Sequence, residues 1–344
     1  MQGAEKVVKR AKRVDVARIA GVSVATVSYV LNGTKRVSPE VERRVLEASE
    51  SLRYTPNRIA QSLAGNRTHT IALMTDDITN TYQLEVIKGL QAEALKNDYI
   101  VYVFDASGDL PKYIDHIISR RVDGIFCVTA PNVLPDEKLK ELRDAGISVL
   151  ADFARSTHLP DISYIASDMY GGFEQIVRHL VELGHTKIGY LSAFDEACYY
   201  DMRLSAFKTA MRKVLDDNMP IIEYGHEPYR TTSTFGEELM TSMLRRFPEM
   251  TAVICTNDMM AIGALRAAAS AGLRVPEDLS VVGIDNILQS ETSTPRLTTL
   301  SQCGKEYGER VFHILYNEIQ NGGTGKFIEP MKLIVRETTA KART

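Results

Sequence analysis

Cysteine is scarce in this 344-residue chain. The four cysteines are Cys127, Cys198, Cys255 and Cys303, and no two of them form a C-x-x-C pair. The sequence therefore contains neither a zinc-ligand pattern nor a dense disulfide framework, which favours a reducing compartment. Long apolar runs are also missing, since the longest are of strand length, and no apolar stretch followed by a cleavage site opens the chain. We expect a cytoplasmic protein that neither spans a membrane nor is secreted.

Sequence signatures of enzymes and cofactor sites are lacking too. There is no G-x-S-x-G, no H-E-x-x-H and no P-loop. His185 follows Leu-Gly between a predicted helix and a predicted strand, where polar turn residues are ordinary. Paired carboxylates can do acid–base work in principle, but an arginine and amides accompany those found here, which favours holding a solute over transforming it. The chain is predicted not to be an enzyme and to need no metal or cofactor.

Charge is distributed unevenly along the chain. Residues 1–67 contain 13 Lys and Arg against 6 Asp and Glu, an excess of +7, so the formal net charge of −3 leaves −10 for the remaining 277 residues. A basic module gains affinity for nucleic acid by displacing counterions from phosphates, whereas an acidic body is repelled by the negatively charged phosphates.

The length and the 44% hydrophobic content are typical of a globular protein of two or three domains.

The basic end has the pattern of three short helices. Apolar residues recur at helical spacing over 16–20, Gly21 suits a tight turn, and Ser23 can cap a second helix. A third helix is predicted to begin with the capping pair Ser38-Pro39 and to end near Leu52. Two helices joined by a glycine turn favour a helix-turn-helix unit, although a protein-docking module of the same size stays open on this pattern alone.

Beyond Thr70, strand-like apolar runs alternate with amphipathic helices in two successive sets. This rhythm predicts two α/β halves with parallel sheets, whose ligand site lies at the carboxyl ends of the strands. Polar side chains stand at those predicted strand ends or open the following helices. Carboxylates, amides, an arginine fork and an aromatic ring suit a sugar or a nucleobase. These candidate side chains are Asp76, Asp77, Tyr82, Gln83, Asp152, Arg203, Asn257, Asp258 and Asp285.

Four long motifs stand in order along the chain: DVARIAGVSVATVSYVLNG, VSPEVERRVLEASESLRYTPNRIAQSLAG, TNDMMAIGAL and LSVVGIDN. From about Asp15 to the C-terminus the sequence resembles the lactose/galactose repressor (LacI/GalR) family. The resemblance implies an α/β fold, with an N-terminal three-helix helix-turn-helix head and a hinge helix joined to a two-lobed, periplasmic-binding-protein-like body with parallel sheets. It also implies a DNA-binding transcriptional regulator, most simply a repressor, that binds double-stranded operator DNA as a homodimer.

The resemblance also implies domain boundaries. The head is expected over 1–55, the hinge helix and linker over 56–67 and the effector-binding body over 68–344. Lobe 1 is expected at about 68–166 and 299–329, and lobe 2 at about 167–298 and 330–344. The chain is therefore predicted to cross between the lobes near 166–167, 298–299 and 329–330.

In this family the second helix of the head enters the major groove. The resemblance assigns DNA contacts to Ser23, Val24, Ala25, Thr26, Tyr29 and Asn32. Val24 and Ala25 can make only apolar contacts, and Tyr29 stands where many members carry a guanine-reading arginine, so either a base contact or packing on the DNA backbone is open for it. In the predicted hinge helix, Leu63 matches a leucine wedged between base steps, while Asn57 and Arg58 hold the flanking backbone.

For the effector, the resemblance selects Tyr82, Gln83, Asp152, Arg203, Asn257 and Asp285, and gives Asp258 a structural role. Thr81-Tyr82-Gln83 replaces the family's common Pro-Phe-Phe, which favours a more polar ligand, most simply a sugar. Tyr199 and Tyr200 are candidates for a replacement ring or for a subunit surface. The alternatives are a corepressor-dependent regulator that responds to a nucleobase or a phosphocarrier protein, and a solute-binding protein. No leucine heptad follows Val335, so a dimer is expected rather than a tetramer, and residues 223–234 have no assigned role.

Overall fold

The computed structural model describes residues 11–32, 35–55, 67–75, 77–106, 108–128, 134–152, 159–196, 198, 201–217, 219–225 and 231–343. The chain separates into two compact units, Met1–Thr68 and His69–Thr344, here called the head and the body. The predicted hinge helix, with Asn57, Arg58 and Leu63, lies outside the described residues, as do Asp76, Tyr199, Tyr200 and residues 226–230.

Three helices form the described part of the head: α1 (Arg13–Ala20), α2 (Val24–Asn32) and α3 (Pro39–Ser51). Gly21 ends α1 in the left-handed conformation, with φ 65°, which glycine adopts without steric cost. Ser38 caps α3 by accepting a hydrogen bond from the Val41 backbone N–H at 3.4 Å. The helices bury one small apolar core made of Val16, Ala17, Ala20, Val27, Val45 and Ala48. The predicted helix-turn-helix head is therefore present.

Strands and helices alternate along the body. In chain order they are β1 (Thr70–Thr75), α4 (Thr81–Lys96), β2 (Ile100–Asp105), α5 (Leu110–Ser119), β3 (Gly124–Val128), α6 (Asp136–Asp144), β4 (Ser148–Asp152), β5 (Ser163–Ser167), α7 (Met169–Glu182), β6 (Ile188–Leu191), α8 (Met202–Leu215), β7 (Ile221–Glu223), α9 (Ser233–Arg246), β8 (Ala252–Cys255), α10 (Asp258–Ser270), β9 (Ser280–Asp285), α11 (Leu288–Thr292), β10 (Thr298–Ser301), α12 (Gly304–Asn321), β11 (Lys326–Glu329) and β12 (Lys332–Ile334).

Two six-stranded sheets organise these elements into two lobes. The sheet of lobe 1 has the order β11-β5-β4-β3-β1-β2, and that of lobe 2 has the order β12-β10-β9-β8-β6-β7. All described pairings are parallel except that of β12 with β10. Apart from this edge strand, which runs parallel as β11 in lobe 1 and antiparallel as β12 in lobe 2, the two sheets have the same strand order and direction. The predicted two-lobed α/β fold is confirmed.

The second crossing between the lobes lies later than predicted. The prediction at 298–299 is wrong because Thr298–Ser301 forms β10 and pairs with β9 in lobe 2, with Leu300 fully buried in that lobe's core. The chain therefore leaves lobe 2 only after Ser301 and enters α12, which packs on α4 of lobe 1. The other two passages follow β5, which ends at Ser167, and β11, which ends at Glu329.

Glycines allow two pairs of helices to pack closely. In lobe 1, Gly89 of α4 and Gly308 of α12 face the partner backbone, and a Cβ at Gly308 would overlap the carbonyl oxygen of Val86. In lobe 2, Gly236 of α9 and Gly263 of α10 meet in the same way. Interiors packed at crystal-like density do not absorb an added methyl group without backbone movement. These two contacts therefore fix the helices that flank the strand ends.

His185, predicted as an ordinary turn residue, is instead buried. Its Nδ1 lies 2.9 Å from the Thr251 hydroxyl and its Nε2 lies 2.9 Å from the Ala340 carbonyl oxygen. Burial lowers the pKa of the His185 imidazole. The side chain thus anchors the segment after β12 to lobe 2.

No single helix among the described residues is long and apolar enough to cross a membrane. The segments Arg13–Ala20 and Val24–Leu31 reach that length and composition only when taken together, across a bend of 101°. Within the same residues, no three potential metal ligands of the His, Cys, Asp and Glu types gather into a group.

Candidate functional site

The start of α2 presents the predicted DNA-contacting residues on the head. The Ser23 hydroxyl accepts a hydrogen bond from the Thr26 backbone N–H at 3.0 Å and lies 2.8 Å from the Thr26 hydroxyl, so it caps the helix. Val24 and Ala25 follow at the exposed first turn, and Tyr29 is exposed one turn further along. Asn32 is the last residue of α2. The predicted contacts of the first turn are therefore two apolar side chains, Val24 and Ala25, next to the hydroxyls of Ser23 and Thr26.

In lobe 1, the end of β4 and the beginning of α4 bring the predicted effector residues together. The Asn80 side chain caps α4 by accepting from the Tyr82 backbone N–H at 3.0 Å, which places Tyr82 and Gln83 in the first turn. Tyr82 is buried and bonds to the Ser167 hydroxyl. Burial raises the pKa of the Tyr82 phenol well above its ordinary value, and the nearby charges of Asp285 and Asp152 raise it further.

In lobe 2, the site is a buried ion pair. Arg203 Nη2 lies 3.5 Å from Asp285 Oδ1, and Gln302 Nε2 donates to the same carboxylate oxygen at 2.6 Å. Burial raises the pKa of Asp285 to about 6, against the opposing effects of Arg203 and Gln302. Because the charge of Asp285 also acts on Tyr82, groups from both lobes face one another at the strand ends. These groups form the interlobe site: Tyr82, Asp152, Arg203, Asp285 and Gln302.

Topology explains why these groups meet. Tyr82 and Arg203 are each the second residue of the helix that follows the first strand of their sheet. Asp152 and Asp285 each end the equivalent strand, β4 in lobe 1 and β9 in lobe 2. The site is therefore built from two pairs of topologically equivalent positions. Lobe 1 contributes a phenol where lobe 2 contributes a guanidinium, the two interact electrostatically, and each lobe also contributes a carboxylate.

Two buried polar atoms in the first turns of α4 and α8 lack a hydrogen-bond partner among the described residues. They are the side-chain oxygen of Gln83 and Nε of Arg203. Native proteins leave few buried polar groups unsatisfied, and each exception calls for an explanation such as a bound molecule. Of the two residues, Arg203 belongs to the interlobe site, where its Nε is an unsatisfied donor.

Asn257, also a predicted effector contact, makes hydrogen bonds within lobe 2. Its Oδ1 caps α10 by accepting from the Met260 backbone N–H at 2.9 Å, and its Nδ2 donates to the Thr231 carbonyl oxygen at 3.4 Å. Both ends of the amide therefore have partners within lobe 2. Asp258 is buried and accepts from the Thr299 hydroxyl at 2.6 Å and the Ile287 backbone N–H at 2.9 Å, as suits a structural role.

The backbone at the end of β9 is strained. Asp285 has φ 114° and Asn286 has φ 58°, both in the region that favours glycine. Asn286 is held by the Thr299 hydroxyl, which accepts from its N–H at 3.2 Å, and by Arg336, which donates to its Oδ1 at 2.6 Å. Such strain persists only where surrounding contacts impose it, and it is common at ligand sites. It aims the Asp285 carboxylate at Arg203.

Sequence reasoning missed Gln302, which directly follows β10. The same strand-end rule that selects Asp152 and Asp285 would have selected it, had β10 been predicted to end at Ser301. Tyr307 was missed as well: it is buried in α12, and burial, followed by the charge of Asp152, raises the pKa of its phenol. No pattern in the sequence distinguishes Tyr307 from an ordinary core tyrosine.

A helix-turn-helix head together with a two-lobed α/β body that gathers polar groups between its lobes defines a class of DNA-binding regulators. Comparison with known families gives the same result. Residues 14–57 match the model described as bacterial regulatory proteins, lacI family, and residues 177–339 match the periplasmic binding protein-like domain.

Individual proteins match over nearly the whole chain. The HTH-type transcriptional repressor PurR of Vibrio vulnificus is 34% identical over 337 residues, which cover 95% of this chain and 98% of the relative. The lac repressor dimer bound to operator and the anti-inducer ONPF has a TM-score of 0.82 at 28% identity, covering 96% of this chain and 100% of that one. The complex of the transcriptional regulator CelR with cellobiose has a TM-score of 0.69 at 26% identity and the same coverage.

This chain belongs to the LacI family of bacterial regulatory proteins. It is a DNA-binding transcriptional repressor, and the prediction that it is not an enzyme is confirmed by the family.

Proposed function

We propose that a small, polar, uncharged molecule, most simply a sugar, binds at the interlobe site and controls the affinity of the repressor for its operator. The observation that carries this proposal is the Asp285 carboxylate of lobe 2, which pairs with Arg203, accepts a hydrogen bond from Gln302 and acts electrostatically on Tyr82 of lobe 1. A guanidinium fork next to a carboxylate offers two donors and two acceptors to neighbouring hydroxyl groups. The CelR complex, in which a related regulator holds cellobiose, supports this ligand class.

Ligand control follows from where these groups lie. Tyr82 and Asp152 belong to lobe 1, whereas Arg203 and Asp285 belong to lobe 2. A ligand that bonds to both sets stabilises the arrangement of lobes in which both are within reach, and thereby shifts the population of lobe arrangements. The coupling to DNA is proposed to run through the segment around Asn57, Arg58 and Leu63, paired between two subunits at the operator centre. A short helix of this kind is stable only when it is supported.

Dimerisation is proposed to use lobe 1. Leu84 and Leu95 are exposed on α4, and Ile100 and Tyr102 are exposed on β2, which lies at the edge of its sheet beside α4. A row of apolar side chains along a helix and an unpaired strand edge is typical of a subunit contact. Two joined heads would impose two-fold symmetry on the operator and raise affinity through effective concentration. Acting on the bacterial chromosome, such a dimer is proposed to work in the cytoplasm.

The ligand proposal is tested by thermal shift with a panel of sugars and nucleobases on the full-length protein. A ligand at one hundred times its Kd adds about 2.7 kcal/mol of stability. We expect at least one sugar to raise Tm in the wild type and in Asp144→Asn, an exposed carboxylate of α6, but not in Asp285→Asn. A response to nucleobases alone would reject a sugar in favour of a nucleobase. A sugar response that persists in Asp285→Asn would place its binding elsewhere.

DNA binding is measured on the same proteins by gel shift. We expect a two-fold symmetric duplex to be preferred over random DNA at about 0.15 M salt, where nonspecific binding is typically weaker than roughly micromolar. The active sugar should change that affinity in the wild type, and the direction of the change identifies it as inducer or corepressor. Leu63→Ala should lose most of the operator preference. If it retains both the preference and the ligand response, the proposed role of Leu63 is wrong.

The proposed dimer contact is tested by sedimentation. We expect Leu95→Asp, at an exposed position of α4, to shift the protein toward monomer, whereas Met219→Asp, at a more exposed position of lobe 2, should leave the dimer intact. An unchanged dimer in Leu95→Asp would exclude this face.

A further inference from the structure

The exposed face of α2 carries few groups that can read a base. Val24 and Ala25 have no hydrogen-bonding atoms in their side chains, and the Ser23 and Thr26 hydroxyls lie within hydrogen-bond distance of each other. Tyr29 lies one helical turn beyond Ala25, on the same exposed side. Base pairs are identified in the major groove mainly by their donors and acceptors, so a polar group beside Val24 and Ala25 would add discrimination that those two side chains do not supply.

Lys35 supplies such a group from outside the helix. Its Nζ lies 5.6 Å from the centroid of the Tyr29 ring, within the range of a cation–π contact. Its partner is therefore a neutral ring. Two other cations of the head have acidic partners instead, since Arg18 lies 3.7 Å from Asp15 and Arg43 lies 2.9 Å from Glu47. The contact with Tyr29 leaves the full positive charge of Lys35 beside the DNA-facing side of α2.

We propose that Lys35 reads a guanine in each operator half-site and that the Tyr29 ring positions its ammonium group. Guanine presents two acceptors, N7 and O6, on its major-groove edge, and an ammonium group with three donors can bond to both. The ring limits the positions that the flexible lysine chain visits, and the Tyr29 hydroxyl stays available to a neighbouring base or phosphate. Tyr29 is then a positioning residue, and Lys35 joins the predicted DNA contacts as a specificity residue. The proposal rests on the DNA-binding function of the family.

A lysine that only contacts phosphate would behave differently. Phosphate contacts strengthen binding to every sequence and steepen its dependence on salt, but they carry no sequence information. A base contact instead changes which sequence is preferred. The two roles are separated by the identity of the selected operator as well as by affinity.

The experiment selects operators from a library of randomised two-fold symmetric duplexes with the full-length wild type and four variants. We expect the wild type to select a guanine at one symmetric pair of positions. Lys35→Met should lose the preference at that pair while keeping the rest of the site, and should bind the wild-type operator about 10-fold more weakly. Tyr29→Phe, which keeps the ring, should keep the guanine, whereas Tyr29→Leu should lose most of the preference for it.

Arg36→Gln is the matched control, because Arg36 is the exposed cation next to Lys35 in the chain. We expect it to weaken all duplexes alike and to select the wild-type sequence. The proposal is overturned if Lys35→Met selects the same sequence as the wild type, or if Tyr29→Phe and Tyr29→Leu both keep the guanine. If the wild type itself selects no sequence, the failure lies with operator binding as a whole and the assignment of Lys35 falls with it. Circular dichroism of each variant verifies that the head remains folded.

Discussion

The two lobes of the body share one wiring diagram but carry different chemistry at equivalent positions. At the second residue of the helix after the first strand, lobe 1 has Tyr82 and lobe 2 has Arg203. Lobe 2 therefore contains an internal ion pair with Asp285, whereas Tyr82 bonds to a hydroxyl. The fold determines which positions come together, and the residue type at each position determines which chemical groups are presented to a ligand. Lobe 2 supplies the charged side of the site, and lobe 1 supplies the ring.

The largest expected effect comes from breaking the ion pair of lobe 2. Arg203→Met leaves the Asp285 carboxylate buried without its cation, which should lower the free energy of unfolding by about 3–5 kcal/mol. The equivalent change in lobe 1, Tyr82→Phe, removes one hydroxyl hydrogen bond and should cost about 1 kcal/mol. Urea denaturation measures both.

The double variant Arg203→Met with Asp285→Asn is the control for the ion pair. It should recover much of the lost stability, because the amide no longer needs a counter-charge. If Arg203→Met costs no more than Tyr82→Phe, the chemical difference between the lobes has no energetic consequence.

Adding a methyl group at the close helix contacts should lower the free energy of unfolding by a similar amount in the two lobes. Gly308→Ala in lobe 1 and Gly263→Ala in lobe 2 each force a methyl group against backbone and should cost about 1–3 kcal/mol. The exposed controls Gln91→Ala in α4 and Ser270→Ala in α10 should change stability by less than about 0.5 kcal/mol. A loss of stability in only one of the two variants would show that the two helix contacts are not equally rigid.

Lowering the pH should stabilise the protein through protonation of Asp285 in lobe 2. Its pKa of about 6 in the folded protein lies above the ordinary value of 3.8, so the folded state binds the proton more tightly than the unfolded chain does. The group therefore destabilises the ligand-free protein above pH 6, and that penalty is relieved as the pH falls through 6. Between pH 7 and pH 5 the wild type should gain about 1 kcal/mol relative to Asp285→Asn, measured by denaturation at each pH. Parallel pH curves for the two proteins would contradict this.

The smallest effect is expected at the cap of the helix that carries Tyr82. Asn80→Ala removes the acceptor for the Tyr82 backbone N–H and should cost about 0.5–1 kcal/mol. Asn80→Asp keeps an acceptor, as Asp201 does at the equivalent cap of α8 in lobe 2, and should be nearly neutral. Equal losses in Asn80→Ala and Asn80→Asp would show that the cap depends on the amide and not on its oxygen.

Much of this architecture could be predicted from sequence because its signals are local. The glycine turn at Gly21, the cap at Ser38 and the alternation of apolar strands with helices each depend on a few neighbouring residues. The strand-end rule likewise placed Asp152 and Asp285 at one site, and the family resemblance selected Tyr82 and Arg203. What the sequence could not show depends on contacts between distant segments.

The failures have specific physical causes. The second crossing was placed too early because Leu300 gives no local sign of which lobe buries it. Gln302 was missed for the same reason, and no local pattern in the sequence indicates the contact between Lys35 and Tyr29. Asn257, selected by its position, stays a predicted effector contact, and its amide also caps α10 and bonds to the Thr231 carbonyl oxygen.

The return of the chain to lobe 2 after Glu329 bears on how the protein is made. β12 pairs with β10, the Thr338 hydroxyl bonds to the Val281 carbonyl oxygen at 2.6 Å, and Ala340 accepts a hydrogen bond from the buried His185. Because these residues follow the other strands and helices of lobe 2 in chain order, lobe 2 stays open at one edge until they have been translated. A nascent chain stalled before Lys332 would therefore expose an unfinished core to proteases, even with every residue of the head already synthesised.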